Sequence, residues 1–383
     1  MKTPPAILRP LCYLLLSASL AGCGGRTSEP EETASGVSPG EPEKKITLLF
    51  AGDLMQHMPQ VTAARQDSTF DYTDCFRHIA PFFRQADLVV LNLETTLTPH
   101  SDYSGYPRFA SPPSLAHAVR RAGADIVTTA NNHICDRGGK GIRSTLETLD
   151  EAGLLYTGVF ADSTDFRRRH PLYVSANGIG IALLNYTYGT NGLPVPPGII
   201  LNGIDTTRIA EDLRRIDRTK ADHVVAFFHW GEEYSRRPNR QQRELAAWCH
   251  ARGADLVIGS HPHVLQPIET LLRADSTPGG VTAYSLGNFV SNQRKRYTDG
   301  GIVLRIEITH RDSLPPAYRT DYLLTWVHTP WEAGRRRYRI LPSYVADTLL
   351  RHDPAAETAY RKFVSDSRTL LDGRPFVGEI ASP

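Results

Sequence analysis

The chain has 383 residues, of which 40% are hydrophobic and 22% charged, and its formal net charge is +2. This composition is typical of a globular protein with a sizeable core and excludes a low-complexity, disordered chain. A net charge so close to zero gives no global argument for a polyanionic partner, and we expect no nucleic-acid partner. The five cysteines show no CxxC spacing, which argues against a zinc–thiolate site and a disulfide scaffold.

The first 23 residues predict a targeting segment. Lys2 and Arg9 precede an apolar run, 11–20, that is shorter than the ~20 residues a membrane-spanning helix needs. The sequence LAGC, ending at Cys23, resembles a bacterial lipoprotein cleavage box, in which Cys23 would become the lipidated first residue of the mature protein. A plain secretory signal or a short membrane anchor is the alternative. We therefore expect a lipid-anchored protein of the cell envelope, outside the cytoplasm.

Three further regions follow this segment. Residues 24–45 are rich in Gly, Ser, Pro and Glu, a composition that cannot form a core, and predict a flexible tether. Residues 46–345 contain no Pro/Ser-rich break and are predicted to form one domain of catalytic size. Residues 346–383 are predicted to be a C-terminal helical extension.

Strands and helices alternate through most of the predicted domain. Apolar runs bounded by turn residues predict strands at 46–50, 87–93, 125–130, 172–174, 179–186, 223–228 and 255–259. Amphipathic spacing and capping residues predict helices at 115–122 and 141–152, after Asp205, and at 239–252. From residue 281 the pattern becomes a run of strands, VTAYSLGNFV, GIVLRIEITH, DYLLTWVHT and RRYRILP, before a helix at 355–371. This order predicts a layered α/β fold with helices outside two sheets.

The ends of the predicted strands carry residues that bind metals. The first strand ends in Asp53. Four further apolar runs each begin with Ala-Asp, and they end, in chain order, in Glu94, in Asn132, in His229, and in His261 with His263. Open α/β sheets place their sites at the carboxyl ends of strands, so these side chains are expected to converge. Carboxylate, amide oxygen and imidazole suit Zn, Mn or Fe better than Ca or Mg, and we expect one or two such divalent ions.

A catalytic centre can be built from this set. Two ions ~3.5–4 Å apart, bridged by a carboxylate such as Glu94, can activate one water and hold the oxygens of the group under attack. His133 is then placed to act as general acid, and Asp136 could orient its ring. Structural alternatives remain for single residues: His229 as a hydrogen-bonded core histidine, Asn132 in a turn, and Asp53 as a helix cap. The conjunction of five strand ends favours the metal site.

Several of these segments resemble the CapA family of capsule and poly-γ-glutamate biosynthesis proteins, which are similar to calcineurin-like metallophosphatases. The resemblance covers about residues 46–305 and is carried by GDLM at 52–55, NLE at 92–94, NNHICDRGGKG at 131–141, HWGEEY at 229–234, GSHPHV at 259–264 and SLGNF at 285–289. It implies a four-layer αββα sandwich with a di-metal centre between two sheets. It also implies that Asp53 and Glu94 are the first and the bridging carboxylate ligands, that His133 is the catalytic histidine, and that the other ligands are Asn132, His229, His261 and His263.

One position departs from the metallophosphatase pattern. That pattern has a histidine two residues after the first aspartate, where this chain has Met55, and a thioether is a poor ligand for a hard divalent ion. Either this metal position is weak, or His57 substitutes from a shifted backbone. The resemblance further suggests contacts to the ligand residues or to substrate, with packing as the alternative, for Glu232, Tyr234, Ser285 and Asn288.

The predicted function is that of an extracytoplasmic lipoprotein of the CapA type. It would hydrolyse, with metal, a phosphoester or an amide of an anionic polymer, and its partners would be that substrate, the membrane and proteins of capsule assembly. The alternative is a non-catalytic component that binds, exports or anchors the polymer and keeps the fold as a scaffold. Arginines in the loop after HWGEEY, such as Arg236, could meet an anionic substrate or form a solvated charge run.

Overall fold

The larger of two sheets carries the first strand of the domain near its centre. The computed structural model describes residues 43–311 and 314–382, which lie in one compact unit, Glu41–Pro383. Seven strands of this sheet follow one another in the order Arg339–Pro342, Ala317–His328, Gly300–His310, Lys44–Leu54, Leu88–Leu93, Ile126–Thr128 and Leu155–Thr157. Asn288–Val290 pairs with the first strand, and Val377–Glu379 pairs with Ala317–His328. We refer to this as the first sheet.

The second sheet has six strands. Their order is Ile268–Leu272, Pro278–Ala283, Leu256–Ser260, His223–His229, Ile179–Thr187 and Leu172–Ala176. The three strands Ile179–Thr187, His223–His229 and Leu256–Ser260 are parallel neighbours, so their carboxyl ends lie at one edge. Short two-stranded pairs join Arg65–Gln66 to Thr69–Phe70, Val159–Phe160 to Ile200–Leu201, and Trp331–Glu332 to Arg335–Arg336.

The two sheets pack face to face, with helices outside them. Phe50 of the first sheet and Phe227 of the second belong to one buried apolar cluster between the sheets. The other face of the first sheet packs on Ser114–Ala122 and Gly138–Ala152, where Leu115 and Ile142 are buried. The other face of the second sheet packs on helices that bury Ile209 and Cys249. The predicted four-layer αββα sandwich is therefore confirmed.

The helices begin and end close to the predicted capping residues. Asp205 accepts hydrogen bonds from the backbone N–H groups of Thr207 and Arg208 at 2.8 and 3.1 Å, and Gly123 and Gly153 end their helices with φ of 113° and 71°. The α-helices are Met58–Ala64, Thr73–Phe76, Ala80–Phe83, Ser114–Ala122, Gly138–Ala152, Ser163–Arg169, Thr206–Arg214, Arg240–His250, Ser343–Leu349 and Pro354–Leu371, with a 3₁₀ turn at Leu350–His352. None of the helices in the described residues is long and apolar enough to cross a bilayer.

One predicted strand run is in fact two strands in different sheets. VTAYSLGNFV divides into the end of Pro278–Ala283, in the second sheet, and Asn288–Val290, in the first. Residues 284–287, which we name the crossing segment, pass between the sheets. Gly287, with φ of 70°, accepts a hydrogen bond from the Asp53 N–H at 3.0 Å. The continuous apolar pattern concealed the crossing because both strands are buried.

Both ends of the predicted domain differ slightly from expectation. The first strand begins at Lys44, inside the predicted tether, because Lys44 and Lys45 pair with the end of Gly300–His310. At the other end, Pro354–Leu371 buries Tyr360 and Phe363 in the cluster between the sheets, and Val377–Glu379 adds a strand to the first sheet. The targeting segment, Cys23 and the tether as far as residue 42 lie outside the described residues.

Candidate metal centre

Strand ends from both sheets bring five ionisable side chains together between the sheets. Asp53 is next to last in the first strand, and Glu94 directly follows Leu88–Leu93. His229 ends its strand in the second sheet, and His261 and His263 follow Leu256–Ser260. All five are buried, with exposed fractions of 0–2%. Burial of so many polar groups is costly unless they are paired or bind an ion, which marks this cluster as a functional site.

A first group of ligand atoms consists of Asp53, Glu94 and His263, whose candidate donors all lie within 4.8 Å of one another. His263 Nδ1 is 3.0 Å from Asp53 Oδ2, and His263 Nε2 is 3.6 Å from Glu94 Oε1. The Asn92 amide donates to Asp53 Oδ1 at 2.9 Å and to Glu94 Oε2 at 3.2 Å, which fixes the two carboxylates relative to each other. We call these three residues the aspartate group.

A second group consists of Glu94, His229 and His261, again within 4.8 Å. His229 Nε2 is 3.8 Å from Glu94 Oε1 and 3.0 Å from the side-chain oxygen of Asn132, which therefore adds a fourth donor. The other ring nitrogen of His229 meets Ser260 Oγ at 2.9 Å. We call these residues, with Asn132, the histidine group. Glu94 belongs to both groups, the position a bridging carboxylate would occupy.

Two atoms of the cluster point to an ion. Within the described part of the chain, Glu94 Oε1 and His261 Nδ1 are fully buried and have no hydrogen-bond partner. Burial lowers the pKa of His261 to about 3 and that of His229 well below 6.5, so both imidazoles are neutral and can donate lone pairs. The residues present therefore fit a divalent metal with nitrogen and oxygen ligands.

The two carboxyl groups have opposite pKa shifts. Burial opposes ionisation of Asp53, but the hydrogen bond and charge of His263 outweigh it and lower the pKa of Asp53. Burial, and then repulsion from Asp53, raise the pKa of Glu94 well above its usual value. The cluster thus lacks positive charge to balance a second carboxylate, which a divalent cation would supply.

His133 lies beside the cluster and is held by Asp136. Its Nδ1 is 2.7 Å from Asp136 Oδ2, which also accepts a 2.7 Å hydrogen bond from the Phe109 N–H. The Phe109 ring meets the imidazole edge to face, with centroids 4.6 Å apart. Both residues are buried, so the ring of His133 is fixed in orientation by one carboxylate and one aromatic face.

Met55 and His57 do not extend the aspartate group. Met55 is buried and offers only a thioether. His57 Nδ1 lies 3.3 Å from both Gln60 Oε1 and the backbone N–H of Asn292, and burial lowers its pKa to about 4. His57 is in none of the three groups of convergent ligand atoms that the described residues form. The aspartate group therefore has one donor fewer than the histidine group.

The four residues predicted to contact ligands or substrate have different surroundings. Ser285 Oγ donates to the carbonyl of Val264 at 2.8 Å, and the amide of Asn288 donates to the carbonyl of Thr298 at 2.8 Å, so both hold loops in place. Tyr234 is 46% exposed, and its ring centroid is 6.2 Å from that of His263. The Glu232 side chain is exposed and in none of the ligand groups.

Arg236, which was expected to meet an anionic substrate or to be solvated, makes contacts within the protein instead. Arg236 stacks on Tyr297 at 4.3 Å and donates to the Asp366 carbonyl, and Arg296 forms an ion pair with Asp366 at 2.8 Å. Arg236 thus fastens the loop after HWGEEY to helix Pro354–Leu371, and Arg296 fastens the segment after SLGNF to the same helix. These contacts leave the two guanidinium groups less available for an anionic substrate.

Several residues of the site were not predicted from the sequence. Asn92 could have been found, because it lies two residues before Glu94 and residues i and i+2 of a strand share a face. Tyr188 carried no such signal in its Gly/Pro-rich surroundings, yet its ring is 4.5 Å from that of His261 and its hydroxyl accepts from Asn132 at 3.4 Å. Glu233 was also missed: its carboxylate lies with His261 and His263 in a third group within 4.8 Å.

Comparison with known proteins identifies relatives of this chain. A family model described as "Bacterial capsule synthesis protein PGA_cap" matches residues 47–293. Over 265 residues the chain is 31% identical to the capsule biosynthesis protein CapA of Bacillus anthracis, covering 65% of this chain and 61% of that protein. It is also 31% identical over 265 residues to the PGA biosynthesis protein CapA of Bacillus subtilis, covering 65% and 64%. The chain thus spans less than two thirds of the length of these curated relatives.

The structure also has a distant likeness to a solved one. It matches the calcineurin-like phosphoesterase YfkN of Bacillus subtilis over 85% of this chain and 98% of that chain, with a TM-score of 0.41 and 13% sequence identity. No residue role or activity follows from a match at this level.

Proposed function

Because this chain belongs to the PGA_cap family of bacterial capsule synthesis proteins, we propose that it is a metal-dependent hydrolase in the metabolism of an anionic capsular polymer. The bond attacked would be a phosphoester or an amide. The observation that carries the proposal is the buried cluster in which Glu94 is shared by two groups of ligand atoms and keeps one oxygen without a hydrogen-bond partner among the described residues.

The aspartate group and the histidine group would each hold one divalent ion of the Mn, Zn or Fe type, with Glu94 common to both. Bound there, the metal would supply positive charge to the oxygens of the group under attack and lower the pKa of a water. The neutral imidazoles of His229 and His261 need to lose no proton before they bind.

The role we assign to His133 is proton transfer to the leaving group. Asp136 occupies its Nδ1, so Nε2 is the nitrogen left to exchange a proton with substrate. The 2.7 Å contact to Asp136 would also stabilise the imidazolium form during transfer. Phe109 restricts rotation of the ring, so the proton is presented from a fixed position.

We further propose that the protein acts outside the cytoplasm, anchored to the membrane through a lipid on Cys23, together with proteins of capsule assembly. The sequence LAGC at 20–23 and the family's part in capsule synthesis support this placement.

Metal content and hydrolysis, measured on the same full-length preparations, test the proposal. Plasma mass spectrometry should find one or two equivalents of a transition metal in the wild type and less in His261→Ala. His352→Ala, at an exposed histidine far along the chain, is the matched control and should keep the full content. The loaded wild type should cleave aryl phosphoesters or shorten poly-γ-glutamate, and chelator should stop it. A chain that binds no metal after loading with Mn, Zn or Fe would refute the proposal.

A second function, polymer binding without turnover, is favoured by Met55, because the aspartate group lacks a donor there. Retention of labelled poly-γ-glutamate, undiminished by chelator and without shortening of the polymer, would establish it instead.

A further inference from the structure

The two groups of ligand atoms are unequal. The histidine group offers four donors, from Glu94, His229, His261 and Asn132. The aspartate group offers three, from Asp53, Glu94 and His263. Protein sites for zinc and related ions usually have at least four ligands. In catalytic sites, one of these ligands is a water molecule. The aspartate group would therefore hold its ion weakly unless another residue contributes.

Glu233 lies where such a contribution would come from. Its carboxylate forms a group with His261 and His263 in which all candidate donors are within 4.8 Å. His261 belongs to the histidine group and His263 to the aspartate group, so Glu233 lies beside one ligand of each group. The unpartnered Nδ1 of His261, fully buried within the described residues, is an independent sign that this side of the cluster binds a ligand.

The loop that carries Glu233 is fixed against the turn that carries the two histidines. The Tyr234 N–H donates to the Pro262 carbonyl at 2.8 Å, and the Ser235 carbonyl accepts from the Gln266 amide at 2.9 Å. Tyr234 has φ of 66°, a left-handed conformation that is strained for a bulky residue and persists only when its surroundings enforce it. Glu233 is therefore exposed but attached to a backbone of defined position, unlike an ordinary surface carboxylate.

We propose that Glu233 is a metal ligand that completes the aspartate group, in place of the donor that Met55 cannot provide. The inference rests on the proposed metal-dependent function. The carboxylate binds a divalent transition ion from the solvent side, and it adds a third negative charge, with Asp53 and Glu94, opposite the ions.

Adjacent residues allow a closely matched experiment. Glu233→Gln removes the ligand oxygen's charge, and Glu233→His removes the charge but supplies another ligand type. Glu232→Gln, at a residue one position away that is also exposed and lies outside the ligand groups, is the control. Each full-length variant is stripped with chelator and titrated with Mn²⁺ and Co²⁺ by calorimetry, with the Co²⁺ absorption spectrum recorded at each step.

Wild type and Glu232→Gln should bind two equivalents with the same affinities. Glu233→Gln should weaken one equivalent by at least the ~10–100-fold that loss of an outer-shell partner causes. Glu233→His should recover part of this loss and alter the Co²⁺ spectrum, because ligation and not charge alone is involved. Unchanged binding in Glu233→Gln, or equal weakening in Glu233→Gln and Glu233→His, would overturn the role of Glu233 and leave the proposed function standing. Absence of binding by the wild type would refute both.

Discussion

In the metal-free protein, Glu94→Gln should raise the free energy of unfolding at neutral pH although it removes a proposed ligand. Glu94 is fully buried, and burial and the nearby Asp53 raise its pKa well above 4.5. Above pH 4.5 the unfolded chain has lost this proton while the folded protein retains it, so stability falls as the pH rises. A glutamine has no proton to keep and so avoids this loss of stability. Its amide oxygen can still accept the hydrogen bond that the Asn92 amide donates to Glu94 Oε2 at 3.2 Å.

The size of the effect follows from the cost of keeping a carboxyl group protonated at neutral pH, which is about 1.4 kcal/mol for each pH unit above its ordinary pKa and so about 1–3 kcal/mol here. A chain of 383 residues has an unfolding entropy of about 0.8 kcal/mol/K, so this corresponds to a rise of about 1–4 °C in the melting temperature. With metal the sign reverses. An ion present at a hundredfold excess over its Kd stabilises the folded protein by about 2.7 kcal/mol, and the variant loses most of this because both ligand groups share Glu94.

Thermal unfolding followed by circular dichroism, after dialysis against chelator and again after addition of Mn²⁺ or Zn²⁺, measures both effects. Glu147→Gln, at an exposed position of helix Gly138–Ala152, is the control and should match the wild type in both conditions. If Glu94→Gln melts below the wild type without metal, Glu94 stabilises the fold by itself, and if both proteins gain equally from metal, Glu94 is not a shared ligand; either result would contradict the prediction.

Four other outcomes are expected. Gly52→Ala should abolish metal binding and impair folding, since a Cβ there would lie 1.9 Å from the Gly287 carbonyl oxygen; soluble expression and metal content measure this. His133→Ala should lower the turnover rate about 10²–10⁴-fold in steady-state assays while metal content stays unchanged. Burial lowers the pKa of His261 from 6.5 to about 3, so on acidification this imidazole is protonated in the unfolded chain at a higher pH than in the folded protein. Below pH 6.5 the free energy of unfolding of the metal-free protein should therefore fall by up to about 1.4 kcal/mol per pH unit for this group, and the urea midpoint should decrease with it. Cys23→Ser should release the protein from membranes and remove acyl label; unchanged fractionation and labelling would exclude the lipid anchor.

The order of layers could be read from the sequence because local patterns specify it. Buried strands such as His223–His229 are continuous apolar runs, and amphipathic helices such as Ser114–Ala122 have a glycine where they end. Both signals lie within a dozen residues, so neither depends on distant parts of the chain. Their alternation already predicts helices on the outer faces of two sheets.

The pairing of strands that are distant along the chain could not be predicted from such local patterns. The sequence showed VTAYSLGNFV as one run, and nothing local reveals that its halves belong to different sheets. The strand Ile268–Leu272 was not predicted either, since only its pairing with Pro278–Ala283 defines it. Edge strands of this kind depend on a partner more than on their own composition.

The same difference between local patterns and long-range contacts separates the site residues that could be predicted from those that could not. Asp53, Glu94 and His229 could be proposed as ligands because each follows an apolar run. Glu233 and Tyr188 are in loops whose approach to the cluster depends on contacts such as the Tyr234–Pro262 hydrogen bond. The sequence offers no periodicity from which that approach could be inferred.

The central place of the first strand has a consequence for biosynthesis. Lys44–Leu54 lies between Leu88–Leu93, made soon after it, and Gly300–His310, made some 250 residues later. One side of this strand must stay unpaired until almost the whole domain has been synthesised, and contacts so distant along the chain form slowly. A nascent or unfolded chain therefore exposes an apolar strand edge that can pair with other chains. We expect this domain to need a chaperone between synthesis and folding, and truncation before residue 300 to yield aggregates and not a smaller folded unit.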